Sequence, residues 1–247
     1  MSTIAHALQE HIQQFHKEEI SFAHLMRFLV AYNHWNLPSK EGEPFIQQYG
    51  DKQFVSLYST PENCMAEAWQ DANTTPLEKN GYWIVDNLPD VDGIVLDANQ
   101  THAMQIPRNY FSYLLQYKDA LQLEDQLYRD AKALTFSPEL IGMMQQFPYY
   151  VLAIVQDANG MTHITLAPDN QNRKLAAVFT TIDCFEKFAV SAKELLGDIR
   201  MDILSGPELF TKLADLPLDG MVLNCYGPGY MTAFSTEFMK QLIQSPS

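Results

Sequence analysis

Two short apolar runs in this chain end in side chains able to do chemistry. Ile94-Val95-Leu96 is followed by Asp97, Asn99 and His102, and Met221-Val222-Leu223 by Asn224, Tyr226, Gly227 and Gly229. Each run is opened by an Asp-Gly pair, Asp92-Gly93 and Asp219-Gly220, and reads as a turn followed by a buried strand. In α/β sheets ligands gather in the crevice beyond the carboxyl ends of strands, which places these residues there. Asp97 and His102 could serve as an acid–base pair, with Asn224 and Tyr226 as hydrogen-bonding groups. A nucleophile or metal completing the set is not evident. The competing structural reading makes Asp97 and Asn224 turn residues whose side chains bond their own backbone two residues on.

Other reactive residues are weaker candidates. Cys64 falls with Met65, Ala68 and Trp69 on one face of a helix expected from about Pro61 to Asp71, the position of an inert packed thiol. Cys64, Cys184 and Cys225 form no close pair, so neither a disulfide framework nor a CxxC motif is expected. His6, His11 and His16 recur every five residues, a step that spreads them around a helix and faces them to solvent; His24 and His34 offer no ligand spacing either. No metal and no cofactor is therefore expected. Gly227-Pro228-Gly229 lacks a lysine, and Pro228 lacks the N–H that a phosphate cradle uses. The rings of His34-Trp35 and Phe147-Pro148-Tyr149-Tyr150 either pack in a core or face a partner.

The elements that must position these residues occur twice. The second apolar run lies 127 residues after the first, and the same offset sets Met104 against Met231, Phe111 against Phe238, Leu115 against Leu242 and Leu77 against Leu204. A repeated supersecondary unit implies tandem domains, 1–117 and 118–247. Helical spacing marks Ile4 to Phe15, Phe22 to Val30 (capped by Ser21 and closed by Asn36-Leu37-Pro38), Pro107 to Leu115, Leu121 to Leu134 and Pro138 to Met144, the last capped by Ser137. Phe54 to Tyr58 and Leu175 to Thr180 read as strands leading into helices. The stretch from Tyr82 to Asn87 fits a short helix or a strand. Tyr149 to Val155 and Thr162 to Leu166 flank Asp157-Ala-Asn-Gly160 as a hairpin with no clear counterpart in the polar stretch Lys40 to Gly50. The fold class expected is α/β to α+β, in two similar halves, each a small mixed sheet flanked by helices, one sheet larger than the other.

Thirty acidic against sixteen basic residues give a net charge of −14, which disfavours nucleic acid and anionic membrane surfaces and would suit a partner with a basic face. No stretch reaches the length of a membrane span and the first residues do not read as a secretory signal, so a cytoplasmic protein is expected, ordered except at Gln244 to Ser247.

Val178-Phe179-Thr180-Thr181, with Phe185 and Phe188, and the run Leu216 to Asn224 resemble the SseB-like family, named for a bacterial serine-sensitivity enhancer. Leu57-Tyr58-Ser59-Thr60 and Leu88 to Asp97 form a weaker version, as though the unit were repeated. The family usually follows its buried strand with Asn-Pro, whereas Asn224 precedes Cys225 and Asp97 precedes Ala98. The resemblance implies a bacterial cytoplasmic protein without an established catalytic site, of a family sometimes associated by name or neighbourhood with secretion systems. The expectation is a non-catalytic protein-binding adaptor; the alternatives are a small-molecule sensor or enzyme using the strand-end crevice, and self-association as a scaffold.

Overall fold

The computed structural model describes residues 3–66, 74–167, 169 and 171–244. Two compact units divide the chain, Met1–Lys118 and Asp119–Ser247. The first holds α1 (Thr3–His16), α2 (Phe22–Ala31), β1 (Trp35–Lys40), β2 (Glu43–Pro44), β3 (Ile46–Tyr49), β4 (Lys52–Leu57), α3 (Pro61–Ala66), β5 (Thr74–Lys79), α4 (Gly81–Asp86), β6 (Gly93–Leu96) and β7 (Met104–Pro107). A 3-10 turn at Arg108–Tyr110 then leads into α5 (Phe111–Ala133), within which the division falls. The second unit continues with α6 (Pro138–Gln146), β8 (Tyr150–Gln156), β9 (Thr162–Ile164), β10 (Leu166–Ala167), β11 (Leu175–Phe179), α7 (Ile182–Leu196), β12 (Ile199–Leu204), α8 (Gly206–Ala214), β13 (Gly220–Leu223), β14 (Thr232–Ser235) and α9 (Thr236–Gln244).

The strand pairings repeat with the elements. In the first unit β4 runs parallel to β6, β6 pairs antiparallel with β7, β3 flanks β4, and β1 pairs antiparallel with β2 and β5. In the second, β11, β13, β14, β10, β8, β9 and β12 reproduce each of those pairings in the same order. The units differ at one seam. Val178 and Phe179 pair with Leu152 and Val151, joining the strands into one seven-stranded sheet, whereas the first unit joins there only through the bridge Asn36–Tyr58 and reads as sheets of three and four. The fold is therefore mixed α/β with helices against largely antiparallel sheets.

Burial alternates along the central strands as a two-sided sheet requires. Leu152, Ala176, Val178, Met221, Leu223 and Phe234 pack with α5, α6, α8 and α9, while Val151, Ala153, Ala177, Phe179 and Val222 face Phe185 and Phe188 of α7. Ser21 and Ser137 cap α2 and α6 through His24 and Leu140 N–H, and Asn80 caps α4 through Trp83 N–H.

Of the two readings of Tyr82 to Asn87, the short helix is the one formed, as α4 with Asn87 at its C-cap. Other expectations are corrected. A hairpin does exist in the first unit: β1 and β2 turn at Glu41 and Gly42, both at positive φ, and Pro38 with the buried polar Asn36 and Ser39 disguised β1 as a loop. Strands β5, β7, β12 and β14 were not expected; Thr74–Lys79 and Thr232–Ser235 lack an apolar run, whereas β12 alternates Ile199, Met201 and Ile203 with Arg200 and Asp202, a strand pattern overlooked in the sequence. Pro107 ends β7 instead of opening a helix, and the two helices expected on either side of residue 118 are one, since no Gly or Pro interrupts Phe111–Ala133. The 127-residue offset holds between β6 and β13 only. Pro107 opposite Gly93 corresponds to Ser235 opposite Gly220, an offset of 128, because the second loop is one residue longer. Lys79 opposite Trp35 corresponds to Leu204 opposite Tyr150, an offset of 125, so Leu77 does not match Leu204. The expected continuation of α3 to Asp71 with Ala68 and Trp69, the side chains of Ile4 and His6, and the tail from the Gln244 side chain to Ser247 lie outside the described residues.

Candidate functional site

The strand-end residues are brought to equivalent places, and there they are consumed by structure. Asp97 and Asn224, each fully buried, end β6 and β13 in left-handed backbone, at φ 43° and 55°. That conformation, tolerated by Asp and Asn, swings each side chain toward the neighbouring parallel strand. Asp97 Oδ1 accepts Ser59 N–H at 2.8 Å and the Ser59 hydroxyl at 3.1 Å. Asn224 Oδ1 accepts Thr180 N–H at 2.9 Å, and its Nδ2 donates to the Thr180 hydroxyl at 3.0 Å. Each side chain thus staples the residue leaving β4 or β11, rather than bonding its own backbone two residues on as the turn reading had it. The turns close through Gln100 N–H to Asp97 O and Gly227 N–H to Asn224 O.

The remaining polar atoms diverge between the units. Asp97 Oδ2 meets His102 Nε2 at 2.9 Å, with His102 only 5% exposed. Tyr32 donates its hydroxyl to Ser59 O at 3.0 Å. Burial, with smaller contributions from Asp97 and Glu78, pushes the Tyr32 phenol up to about 12. In the second unit Asn224 Nδ2 donates to Glu124 Oε1 at 3.2 Å, and Thr180 Oγ1 lies 2.6 Å from the same oxygen. Gly229 sits over this group so closely that a Cβ would come 2.7 Å from both Asn224 Nδ2 and Glu124 Oε1.

This geometry does not support turnover. A hydroxyl–imidazole–carboxylate relay needs the imidazole between the other two, whereas here Asp97 stands between Ser59 and His102. No substrate reaches a carboxylate with no exposed surface. Asn99 and Tyr226, both at positive φ, are the exposed members of their turns, and the Tyr226 ring lies against Phe188 at 6.4 Å. Burial pushes the Cys64 and Cys225 thiols up to about 11 and about 12, far from the thiolate that reacts or binds metal. His11 is half-buried, not solvent-facing, and stacks on Phe28 at 3.9 Å and on His24 at 5.8 Å. No group of three or more His, Cys, Asp or Glu able to hold a metal ion occurs among the described residues. Trp35, Phe147 and Tyr150 are core residues, Trp35 donating to Leu29 O, while Tyr149 is exposed.

Sequence reasoning missed Ser59, Thr180, Tyr32 and Glu124. The first two lie in the paired runs Leu57-Tyr58-Ser59-Thr60 and Val178-Phe179-Thr180-Thr181, so the repeat could have named them. Glu124 carried no signal, being one acid in a helix of mixed composition.

Among the described residues, no helix is long and apolar enough to cross a membrane. No family model and no curated protein matches the chain. Among solved structures the chain is similar to Anabaena Tic22, a protein described as functioning in protein transport, at 9% identity over 92% of this chain and 99% of that one. The TM-score is 0.25, a level at which the likeness transfers neither fold nor role.

Proposed function

We propose that this chain is a non-catalytic protein-binding adaptor, composed of two SseB-like units and acting in the bacterial cytoplasm. One observation carries the reading: the groups best placed for chemistry, Asp97 and Asn224, are buried and committed to Ser59 and Thr180. The net charge of −14 supports a partner that presents a basic face. An association with a secretion system rests on the motif resemblance alone. The test is affinity purification of the tagged chain from its native cytoplasm at low and high salt, followed by reconstitution with the purified partner. A stoichiometric complex that weakens with salt is expected. Recovery of the chain without a partner at both salts overturns the reading.

A second reading, a small-molecule sensor, has moved away from the strand ends. An open cleft of about 520 Å³ in the second unit is lined by Gln145, Gln146, Ser205 and Thr211 with Pro148 and Phe210. Its volume suits a small molecule. Among the described residues no ionisable side chain lines it, and the reading is one of binding. A compound that raises the melting temperature, with the gain abolished by Thr211→Trp, would favour this reading.

A further inference from the structure

The two units end their β1–β5 and β8–β12 pairs in very different edges. In the first, β5 carries Pro76 at its middle, opposite Pro38 of β1. A hydrogen-bonded antiparallel pair exchanges both N–H groups, so two facing prolines occupy a non-bonded pair and the Pro76 nitrogen faces the outer edge. An edge missing an N–H there is a poor template for another strand.

In the second unit β12, Ile199-Arg200-Met201-Asp202-Ile203-Leu204, ends the sheet with no proline, and among the described residues it pairs with β8 alone. Ile199, Met201 and Ile203 stand opposite Val155, Ala153 and Val151 on the face that α7 covers, yet Met201 is 46% and Ile203 52% exposed. Leu195, close to the end of α7, is 83% exposed beside them in sequence. Arg200 and Asp202 lie on the other face, where Arg200 donates to Gln156 at 2.8 Å and Asp202 accepts from Lys212 at 2.8 Å. Each keeps further hydrogen-bonding capacity for another partner.

The strand is self-complementary about Met201. Laid antiparallel on a second copy with Met201 opposite Met201, Ile199 meets Ile203 on one face, and Arg200 meets Asp202 on the other, twice by symmetry. We propose that β12 is a homodimerisation edge, at which two copies of this chain join their seven-stranded sheets across a two-fold axis through Met201. Exposed apolar residues and a charge pattern that matches itself identify the occupant as a second copy. The proposal goes beyond the adaptor reading and stands or falls independently of it.

The test is the mass of the full chain by sedimentation over about 1 to 300 µM at physiological salt, where the long-range repulsion of two acidic chains is screened. A concentration-dependent dimer is expected. Arg200→Asp and Asp202→Arg, each placing like charges opposite one another twice, should weaken dimerisation at least about tenfold, and the double reversal should restore it. Met201→Cys should form an intermolecular disulfide under mild oxidation, whereas Ile203→Cys alone should not, because the proposed register sets it opposite Ile199. Circular dichroism checks that these exposed substitutions leave the fold intact; Met201→Lys, with two lysines at the axis, replaces any variant that fails it. A chain that remains monomeric throughout, or a dimer indifferent to the charge reversals, overturns the proposal.

Discussion

Asp97 and Asn224 do the same structural work with different chemistry, and the difference sets how each tolerates change. Replacing Asp97 by Asn keeps an acceptor for Ser59 N–H and a polar group facing the His102 ring, so the loss should be about 1 kcal/mol. Asp97→Ala leaves the buried Ser59 N–H without its acceptor and puts a poor residue at φ 43°, costing about 3 kcal/mol. The reverse exchange is not symmetric. Asn224→Asp sets a second carboxylate 3.2 Å from Glu124 Oε1 in a buried site, where both cannot ionise together. A loss of about 3 kcal/mol or more is expected at neutral pH, where one of the two must keep a proton in the folded chain, and it should shrink toward pH 4 as the carboxyls of the unfolded chain take up protons as well. Urea denaturation of the variants at pH 7 and pH 4.5 measures both; equal losses for the two isosteric exchanges would mean that Glu124 is not felt. The thiols make a second prediction. Cys64 and Cys225 are raised in the folded state to about 11 and about 12, above their ordinary value of 9.0, so the folded chain holds their protons longer. Their contribution is intact below pH 9 and is lost as pH climbs through 11 to 12. Disulfide-exchange labelling at pH 8 should therefore be slow in the folded chain and immediate in denaturant. These residues were visible in the sequence as candidates, because Asp and Asn follow apolar triplets. Their role was not, because a strand-end carboxylate reads alike whether it faces solvent or staples the next strand.

At the level of elements, close approach at two helix starts decides what the repeat can vary. Gly81 N–H donates to Tyr32 O and Gly206 N–H to Phe147 O, at 2.7 and 2.9 Å, seating α4 and α8 on the chain leaving α2 and α6. A Cβ would come 2.2 Å from Val30 O at Gly81 and 2.5 Å from Met144 O at Gly206. Gly81→Ala should cost about 3 kcal/mol or more through overpacking against backbone that cannot yield. Gly142, inside α6 with nothing near its missing Cβ, is the control: Gly142→Ala should stabilise by about 0.5 to 1 kcal/mol. Thermal melts of the two variants test the contrast. The corner between α5 and α6 carries a pH dependence. Burial would raise the Asp130 carboxyl, but Ser137 N–H, the Ser137 hydroxyl and Gln126 Nε2 outweigh it and hold the group below its ordinary value of 3.8. The folded state thus favours the carboxylate, and this stabilisation is present above the ordinary value and lost as pH falls below it. Asp130→Asn should flatten the acid limb of the stability curve, read by denaturation between pH 5 and pH 2. The same corner shows why elements were partly legible. Ser137 announced a helix start and Ser21 another, since caps are local chemistry. β1 and β5 were hidden because their apolar side chains are few and their pairing, Pro38 opposite Pro76, obeys a register no local pattern reveals.

For the whole molecule, the repeat of the glycine-opened strand was legible because β6 and β13 are buried on both faces and admit few residue types. The offset changes around them were not, because one loop residue more or less leaves no trace in apolar pattern. Nor was the single seam between β1 and β4, where the bridge Asn36–Tyr58 stands for the two pairs joining β8 to β11. Charge, by contrast, is readable in full and acts on the chain as a whole. An excess of −14 works against a compact state through self-repulsion, while its opposing ion pairs, such as Lys212–Asp202 and Arg173–Asp169, have solvent-exposed cations and are individually weak. Salt screens both, yet the repulsion sums over many distant charges and the attractions over few near ones. Raising ionic strength from about 0.01 M to about 0.3 M, which shortens the screening length from about 30 Å to below 8 Å, should therefore raise the melting temperature by about 2 to 4 °C. Measured at low protein concentration, that gain reports the chain itself and not its association. It should vanish near pH 4.8, where the net charge does, and a melting temperature that instead falls with salt at pH 7 would show that the local pairs outweigh the sum.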